Sequence, residues 1–144
     1  MNNYSEDIIE LLLNRHGDEV QITQEAVVSI ARVFNKEIMI LLLDQRGDEV
    51  YITQEVVIAA AENYRGKDVI ELLLDRRGDE VQITQEVLIA AVKNYHGKDI
   101  IELLLDRRGD EVQITQEVVV AAAGNVDGGK DVMELLLDRR GNEV

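Results

Sequence analysis

The feature that most constrains this chain is a sequence repeat of about 31 residues. Every period contains a leucine triplet, and the triplets begin at Leu11, Leu41, Leu72, Leu103 and Leu135. The steps between them are 30, 31, 31 and 32 residues, and a glycine follows six residues after each start. The string ELLLDRRGDEVQITQEV occurs twice without a change. A fixed period of this length predicts a stacked array in which each unit contacts its neighbours.

Each period contains two helical patterns, and the first carries the leucine triplet. In the third copy it covers residues 67–77, with Asp68 in the first turn and Arg76 and Arg77 in the last, as the helix dipole favours. The glycine that follows is predicted to end the helix. The apolar face is too broad for a lone surface helix, so we expect this helix to pack between neighbours. N-cap residues stand at one register: Ser5, Asn35, Gly66, Gly97 and Gly129.

The second pattern begins at a threonine, a good N-cap residue, at Thr23, Thr53, Thr84 and Thr115. Ile52 before the cap and Val57 inside the helix have the spacing of a hydrophobic staple, and the other copies repeat it. The run VVIAAA contains strand-forming residues, but its three alanines and the threonine cap favour a helix and allow close helix approach. In the connector before this helix, Val81 and Ile83 are expected to turn inward, with Asp79 and Glu80 solvated.

These patterns predict an all-α fold: an α-solenoid of stacked helix-turn-helix repeats. One opening helix from Ser5 and four helix pairs make about nine short helices. Residues 1–144 then form a single repeat-array domain of about four and a half repeats. The chain begins and ends within a unit, which is typical of a segment cut from a longer array.

The segment TQEVVIAAAENYRGKDVIELLLDRRGDEV resembles an ankyrin repeat. The resemblance lies in the threonine start, the small residues, the glycine turn and the V-x-x-L-L-L helix, at Thr53, Ala60, Ala61, Gly66, Val69, Leu72, Leu73, Leu74 and Gly78. Gln54, Glu55 and Val56 replace the usual proline and histidine, and the segment after Gly78 is short for a β-hairpin finger. The chain is therefore similar to a finger-trimmed, ankyrin-like array, as in fungal NOD-like (STAND) receptors. A consensus-designed array would show the same near-identity, so both origins stay open.

Composition argues against several classes of function. The chain has 29 acidic and 15 basic side chains, a formal net charge of −14, so a nucleic-acid backbone would be repelled. There is no cysteine, and His16 and His96 stand at unlike repeat positions, so neither a metal site nor a cofactor is expected. No apolar run approaches the roughly 18 residues that span a bilayer. The polar start MNNYSED is no signal peptide, so we expect a cytoplasmic protein without membrane contact.

Catalysis is not expected, because nearly every carboxylate recurs at a repeat position that explains it structurally. Residues 124–130, GNVDGGK, fit a phosphate-loop pattern, but Asp131 stands where serine or threonine would hold magnesium. An inter-repeat loop explains them better. The tripeptide RGD occurs three times, and a helix ending in arginine and glycine explains each occurrence. The Asp-Glu pair that follows lacks the spacing of a calcium loop and is interpreted as a solvated acidic ridge.

Comparison of the repeats with one another shows which positions the common packing leaves free. Near the end of the second helix the chain has Arg32, Glu62, Lys93 and then Gly124. This reversal of charge predicts an exposed line without a fixed intramolecular partner, which is either a neutral drifting surface or a recognition stripe. Phe34, Tyr64 and Tyr95 are predicted to be packing residues, although a tyrosine rim would also provide anchors. The candidate stripe comprises Arg32, Glu62, Lys93, Arg65, His96, Asp127, Tyr51, Tyr64 and Tyr95.

Two functions follow from these patterns. The first is a non-catalytic recognition or scaffold module that binds a protein or peptide partner through the stripe. The alternative is a structural element that forms homo-oligomers by stacking end to end, because the first and last helices, DIIELLL and DVMELLL, lack the polar face of a capping repeat.

Overall fold

Helices follow one another along the chain in the predicted order. The computed structural model describes residues 21–144 and, before them, the helical residues 7, 9–11, 13 and 14. The predictions for Ser5, His16 and Gly17 lie outside these residues. No strand occurs in the described part of the chain, and the predicted all-α repeat solenoid is confirmed. From residue 21 onward the helices are α1 (Gln24–Val33), α2 (Lys36–Arg46), α3 (Gln54–Glu62), α4 (Gly66–Arg77), α5 (Gln85–Lys93), α6 (Gly97–Arg108), α7 (Gln116–Gly124) and α8 (Gly129–Arg140).

The helices form two layers around a continuous apolar core. The alanine helices α1, α3, α5 and α7 pack side by side in one layer, and the leucine helices α2, α4, α6 and α8 form the other. Neighbours approach more closely in the alanine layer, where residues 59–61 are fully buried. In the leucine layer Leu73 and Leu104 are fully buried. Small side chains therefore set the closer spacing of the first layer.

The threonines begin the alanine helices as predicted. The hydroxyls of Thr23, Thr84 and Thr115 accept hydrogen bonds from backbone N–H groups in the first turn, at 3.1, 3.4 and 3.4 Å. Thr53 also stands at an N-cap but makes no such bond; its hydroxyl accepts from Gln24 Nε2 at 3.3 Å. The cap of α3 therefore joins two repeats.

The glycines at the start of the leucine helices were assigned the wrong role. Asn35 is an N-cap as predicted, and its Oδ1 accepts from the N–H of Ile38 at 3.3 Å. Gly66, Gly97 and Gly129, however, are the first helical residues. A Cβ atom there would lie only 2.2–2.6 Å from a carbonyl oxygen of the preceding alanine helix. Close approach of the two helices therefore requires these glycines.

The glycine after each leucine helix ends the α-helix, as predicted, but its backbone stays right-handed. Gly78, for example, has φ −53° and ψ −36°, and the chain continues as a 3₁₀ turn through Glu80. No glycine among the described residues has a positive φ. Val81 and Ile83 then enter the core, as the pattern of the connector predicts.

Candidate functional site

The last arginine of a leucine helix holds neighbouring repeats together at Arg77, Arg108 and Arg140, the first two of which belong to RGD tripeptides. Arg108 donates to the carbonyl oxygens of Gly78 and Val81 in the preceding connector, at 2.5 and 3.1 Å. It also pairs with Glu111, three residues on, at 2.6 Å. Arg77 and Arg140 repeat this arrangement. These side chains are about three-quarters buried, and each binds carbonyl oxygens and a glutamate, which supports the structural interpretation of the tripeptide.

The expected acidic ridge is only half correct. The aspartates of the Asp-Glu pairs are exposed, but Glu49, Glu80 and Glu111 form ion pairs with arginine. A hydrogen bond from Arg46 is the main reason that the pKa of Glu49 lies below its usual value. Burial raises the pKa of Glu80, but hydrogen bonds from Arg77 and from the Ile52 N–H outweigh it and lower the pKa. Glu49 and Glu111 stay exposed, and Glu80 also joins its repeat to the preceding one through the Ile52 N–H.

A ladder of asparagines fixes the loops between repeats, and the sequence reasoning missed it. Asn94 Nδ2 donates to the carbonyl oxygens of Ala61 and Asn63 in the preceding repeat, both at 2.8 Å. Its Oδ1 accepts from the N–H of His96 at 2.8 Å, which shapes its own loop. Asn63 and Asn125 do the same one repeat earlier and later. The asparagine that recurs before each glycine loop is the sequence feature that could have predicted the ladder.

This ladder places an aromatic cluster at the surface. The rings of Tyr64 and Tyr95 are nearly parallel, with centroids 6.4 Å apart. The His96 ring stands edge-on to both, at 4.5 and 4.9 Å. The tyrosines are 69% and 60% exposed, so their prediction as packing residues is wrong, whereas Phe34 does pack against the core. They project from loops that the asparagines hold outside the core.

The free face of the alanine helices carries three rows of side chains, at spacing i, i+3 and i+7. In α3 these positions are Glu55, Ile58 and Glu62, and residues with this spacing share one helix face. We call the three rows together the groove face. They are the glutamates Glu25, Glu55, Glu86 and Glu117, the aliphatic residues Val28, Ile58, Ile89 and Val120, and the variable residues Arg32, Glu62, Lys93 and Gly124.

Shallow grooves run between neighbouring helices of this face. One, of about 410 Å³, is lined by residues that include Ile58, Glu62, Ile89 and Lys93. The next, of about 430 Å³, shares Ile89 and Lys93 and extends to Val120. Apolar groove floors beside charged rims offer both contact area and selectivity to a binding partner.

The variable row is exposed, but one expectation about it is wrong. Arg32 and Glu62 form an ion pair, with 3.6 Å between Nη2 and Oε1. Opposite charges at one register therefore meet across adjacent repeats, which the comparison of positions alone did not anticipate. Lys93 has no such partner among the described residues.

The structure divides the predicted stripe. Arg32, Tyr64 and Arg65 line a third groove of about 410 Å³, which places the tyrosine cluster beside the variable row. Asp127 is exposed in the last loop. Tyr51 lies at the opposite end of α3, a nine-residue helix about 13 Å long. Its carbonyl accepts from Gln24 Nε2 at 2.9 Å, so it is remote from the other candidates along that helix axis.

The GNVDGGK segment joins two repeats: Gly124 ends α7, residues 125–128 form the loop, and Gly129 begins α8. Asn125 ties it to the carbonyl oxygens of Val92 and Asn94, at 2.9 and 3.1 Å. The added Gly128 packs so closely that a Cβ atom would lie 2.7 Å from the carbonyl oxygen of Tyr95. Both contacts support the structural interpretation of these residues.

Two findings concern other kinds of site. Among the described residues, histidine, aspartate and glutamate form no group of three that could hold a metal ion. The helices described for this chain are all too short or too polar to cross a membrane.

The sequence model of one family matches residues 11–39, 41–69, 72–100, 103–133 and 135–144. The five matches tile the chain, and each begins at the first leucine of a triplet. The chain belongs to the DUF7104 family. The family's description is "domain of unknown function", and one DUF7104 unit here runs from a leucine helix through the alanine helix into the next leucine helix. No curated protein and no solved structure matches the chain.

Proposed function

We propose that this DUF7104 array is a non-catalytic recognition module that binds a protein or peptide partner through the groove face and the adjoining tyrosine cluster. One observation supports this above all: the asparagines and arginines that join one repeat to the next recur from copy to copy, whereas the exposed variable row of the groove face changes its charge. Asn94 and Arg108 belong to the constant frame, whereas Lys93 and Tyr95, beside them, project outward. A constant frame with a changeable face suits a binding solenoid.

The tyrosine cluster adds a feature typical of binding surfaces. Tyrosine is enriched at interface centres, since it buries a large area at low entropic cost and retains a polar hydroxyl. Tyr64 and Tyr95 are exposed within one chain while variable charges surround them. A partner could therefore cover these two rings without any rearrangement of the fold.

The type of repeat and the place where the protein acts are also part of this proposal. We infer an ankyrin-like, finger-trimmed array of the kind found in fungal NOD-like receptors, acting in the cytoplasm without an enzymatic step or a nucleic-acid ligand. The threonine-capped inner helix, the glycine turn and the leucine helix support the likeness. The net charge of −14 supports the exclusion of nucleic acid.

The test is a selection of displayed random peptides and small domains on the full chain. Binders are then measured on the double variant Glu62→Ala/Lys93→Ala, and we expect about tenfold weaker binding. The matched control Glu71→Ala/Lys98→Ala changes the same residue types at exposed positions of the leucine helices and should leave affinity unchanged. If every binder tolerates the first double variant, the groove face is not the recognition surface.

A second candidate function, assembly end to end, is favoured by the uncovered last repeat. Leu137 is 52% exposed, whereas its equivalents Leu74 and Leu105 are 7% and 6% exposed. Ala123 is exposed, whereas the equivalent Val92 is fully buried. Another repeat docked there would bury this surface. Light scattering over a concentration series tests it, because a mass that stays monomeric throughout would remove the assembly function.

A further inference from the structure

We propose that the groove face binds a basic amphipathic helix of the partner protein. This inference rests on the proposed recognition function and adds the chemistry of the partner. It starts from the aliphatic row, which the packing of the array leaves partly uncovered. Val120 is 62% exposed, and Val28, Ile58 and Ile89 are only partly buried where they pack against the core. Four branched apolar side chains in line on adjacent helices form a surface that gains by being covered.

The charge around this row selects the partner. The groove face carries five carboxylates, including Glu62, against two cations, Arg32 and Lys93. Glu86 accepts from Gln54 Nε2 at 3.1 Å, and Glu25, Glu55 and Glu117 make no hydrogen bond or ion pair with another described residue. Unpaired glutamates beside an apolar groove complement lysines or arginines that flank apolar side chains. A second copy of this chain carries a charge of −14 itself and is disfavoured as the occupant.

The dimensions favour a helix. Positions i and i+7 of an alanine helix are about 10 Å apart along its axis, close to the 10–12 Å diameter of an α-helix with side chains. Four alanine helices at about 8–10 Å spacing extend over about 24–30 Å. A helix of about 20 residues is about 30 Å long and would therefore cross all four. Its apolar stripe would lie over the aliphatic row and its basic edge over the glutamates.

The probe is a fluorescent peptide of about 20 residues, made of leucine and lysine with leucine at helical spacing. Its binding to the full chain is measured by anisotropy, beside a peptide of the same composition in scrambled order. We expect the amphipathic peptide to bind, and the scrambled peptide to bind about tenfold more weakly because it cannot match apolar and acidic rows together. Equal binding of both peptides would overturn the proposal, because affinity would then follow net charge alone. No binding of the amphipathic peptide would also overturn it.

Matched variants locate the binding surface. Neutralising three glutamates of the groove face should weaken binding about tenfold, and neutralising three glutamates of the leucine layer should change it less than about twofold. The first triple is Glu55→Gln, Glu86→Gln and Glu117→Gln, and the second is Glu71→Gln, Glu102→Gln and Glu134→Gln, all at exposed positions. Equal losses in the two triples would contradict the proposal.

A valine pair tests the apolar part. Val120→Ser removes an exposed valine from the groove face, and Val126→Ser removes one that is 94% exposed in the last loop. Only Val120→Ser should weaken binding of the amphipathic peptide. If the display selection yields groove-dependent binders of other chemistry, the basic-helix inference fails while the recognition function stands. If it yields no groove-dependent binder, both fail.

Discussion

At the scale of the residue, the same amino acid has different roles at different registers. Glycine is the clearest case. A Cβ atom at Gly97 would lie 2.4 Å from the carbonyl oxygen of Ala91, so only glycine fits there. A Cβ atom at Gly47 would have nothing within 4 Å. Gly47 also has right-handed dihedral angles, φ −58° and ψ −33°, which alanine readily adopts. Identical recurrence in the sequence therefore conceals two different physical requirements.

This contrast predicts opposite effects of one substitution. Gly47→Ala should stabilise the fold by about 0.4–1 kcal/mol, because it restricts the unfolded chain without a clash. Gly97→Ala should destabilise it by more than about 2 kcal/mol, because helices α5 and α6 must separate. Urea unfolding of the two variants checks this. Equal free energies of unfolding would show that the close approach of the helices is not limiting.

The ion pairs of the connectors predict a pH dependence. The pKa of Glu80 in the folded chain is lowered from 4.5, so its pairing stabilises the fold above that pH. The contribution is lost as the pH falls through the lowered pKa. Glu80→Gln should therefore reduce stability at neutral pH, by under about 1 kcal/mol because solvent screens the pair, and its deficit should vanish in acid. Exposed Asp79→Asn is the control, and a deficit for Glu80→Gln that persists in acid would contradict this account.

At the scale of the element, the burial of each helix depends on which helices pack against it. The leucine helices have almost the same amino-acid sequence, yet the third leucine of the triplet is buried in α4 and α6 and half exposed in α8. These residues are Leu74, Leu105 and Leu137. Amphipathic spacing predicts which face of such a helix is apolar. The presence of a neighbouring helix determines whether that face contributes to stability.

Leucine-to-alanine substitutions test this dependence on cover. Leu73→Ala and Leu104→Ala each remove a fully buried side chain and should cost about 2–5 kcal/mol. Leu137→Ala, at a half-exposed position of the last helix, should cost under about 1 kcal/mol. Thermal or urea unfolding measures all three. A loss below about half a kcal/mol at both buried sites would show that the leucine face is not the core.

At the scale of the whole molecule, stability is a sum of contacts between neighbours. Within the described residues, the repeat formed by α5 and α6 is joined to both neighbours by hydrogen bonds from arginine and asparagine side chains, while the last repeat has such contacts on one side only. In an array of this kind, local opening is easiest at the ends.

Hydrogen exchange should show this gradient directly. Backbone amides of α5 and α6, inside the array, should exchange more slowly than those of α7 and α8, whose amino-acid sequences are nearly the same. Mass spectrometry of exchanged peptides measures the rates. Uniform protection from α5 to α8 would instead indicate global unfolding as a single cooperative unit.

The amino-acid sequence by itself determined the period, the two helices of each unit, the threonine caps and the inward valines of the connectors. These are local features: they depend on the spacing of apolar residues and on hydrogen bonds within a few positions of the chain. Near-identity of the copies then implied that they stack.

Only the tertiary structure decided what neighbouring repeats do to one another. The asparagine ladder, the pairing of Arg32 with Glu62, the separation of Tyr51 from the other stripe residues and the exposure of Tyr64 all depend on it. Each arises between residues about 30 positions apart, or on a loop whose course such residues fix. Their meeting depends on the distance and register between packed helices, which no pattern within a single repeat specifies.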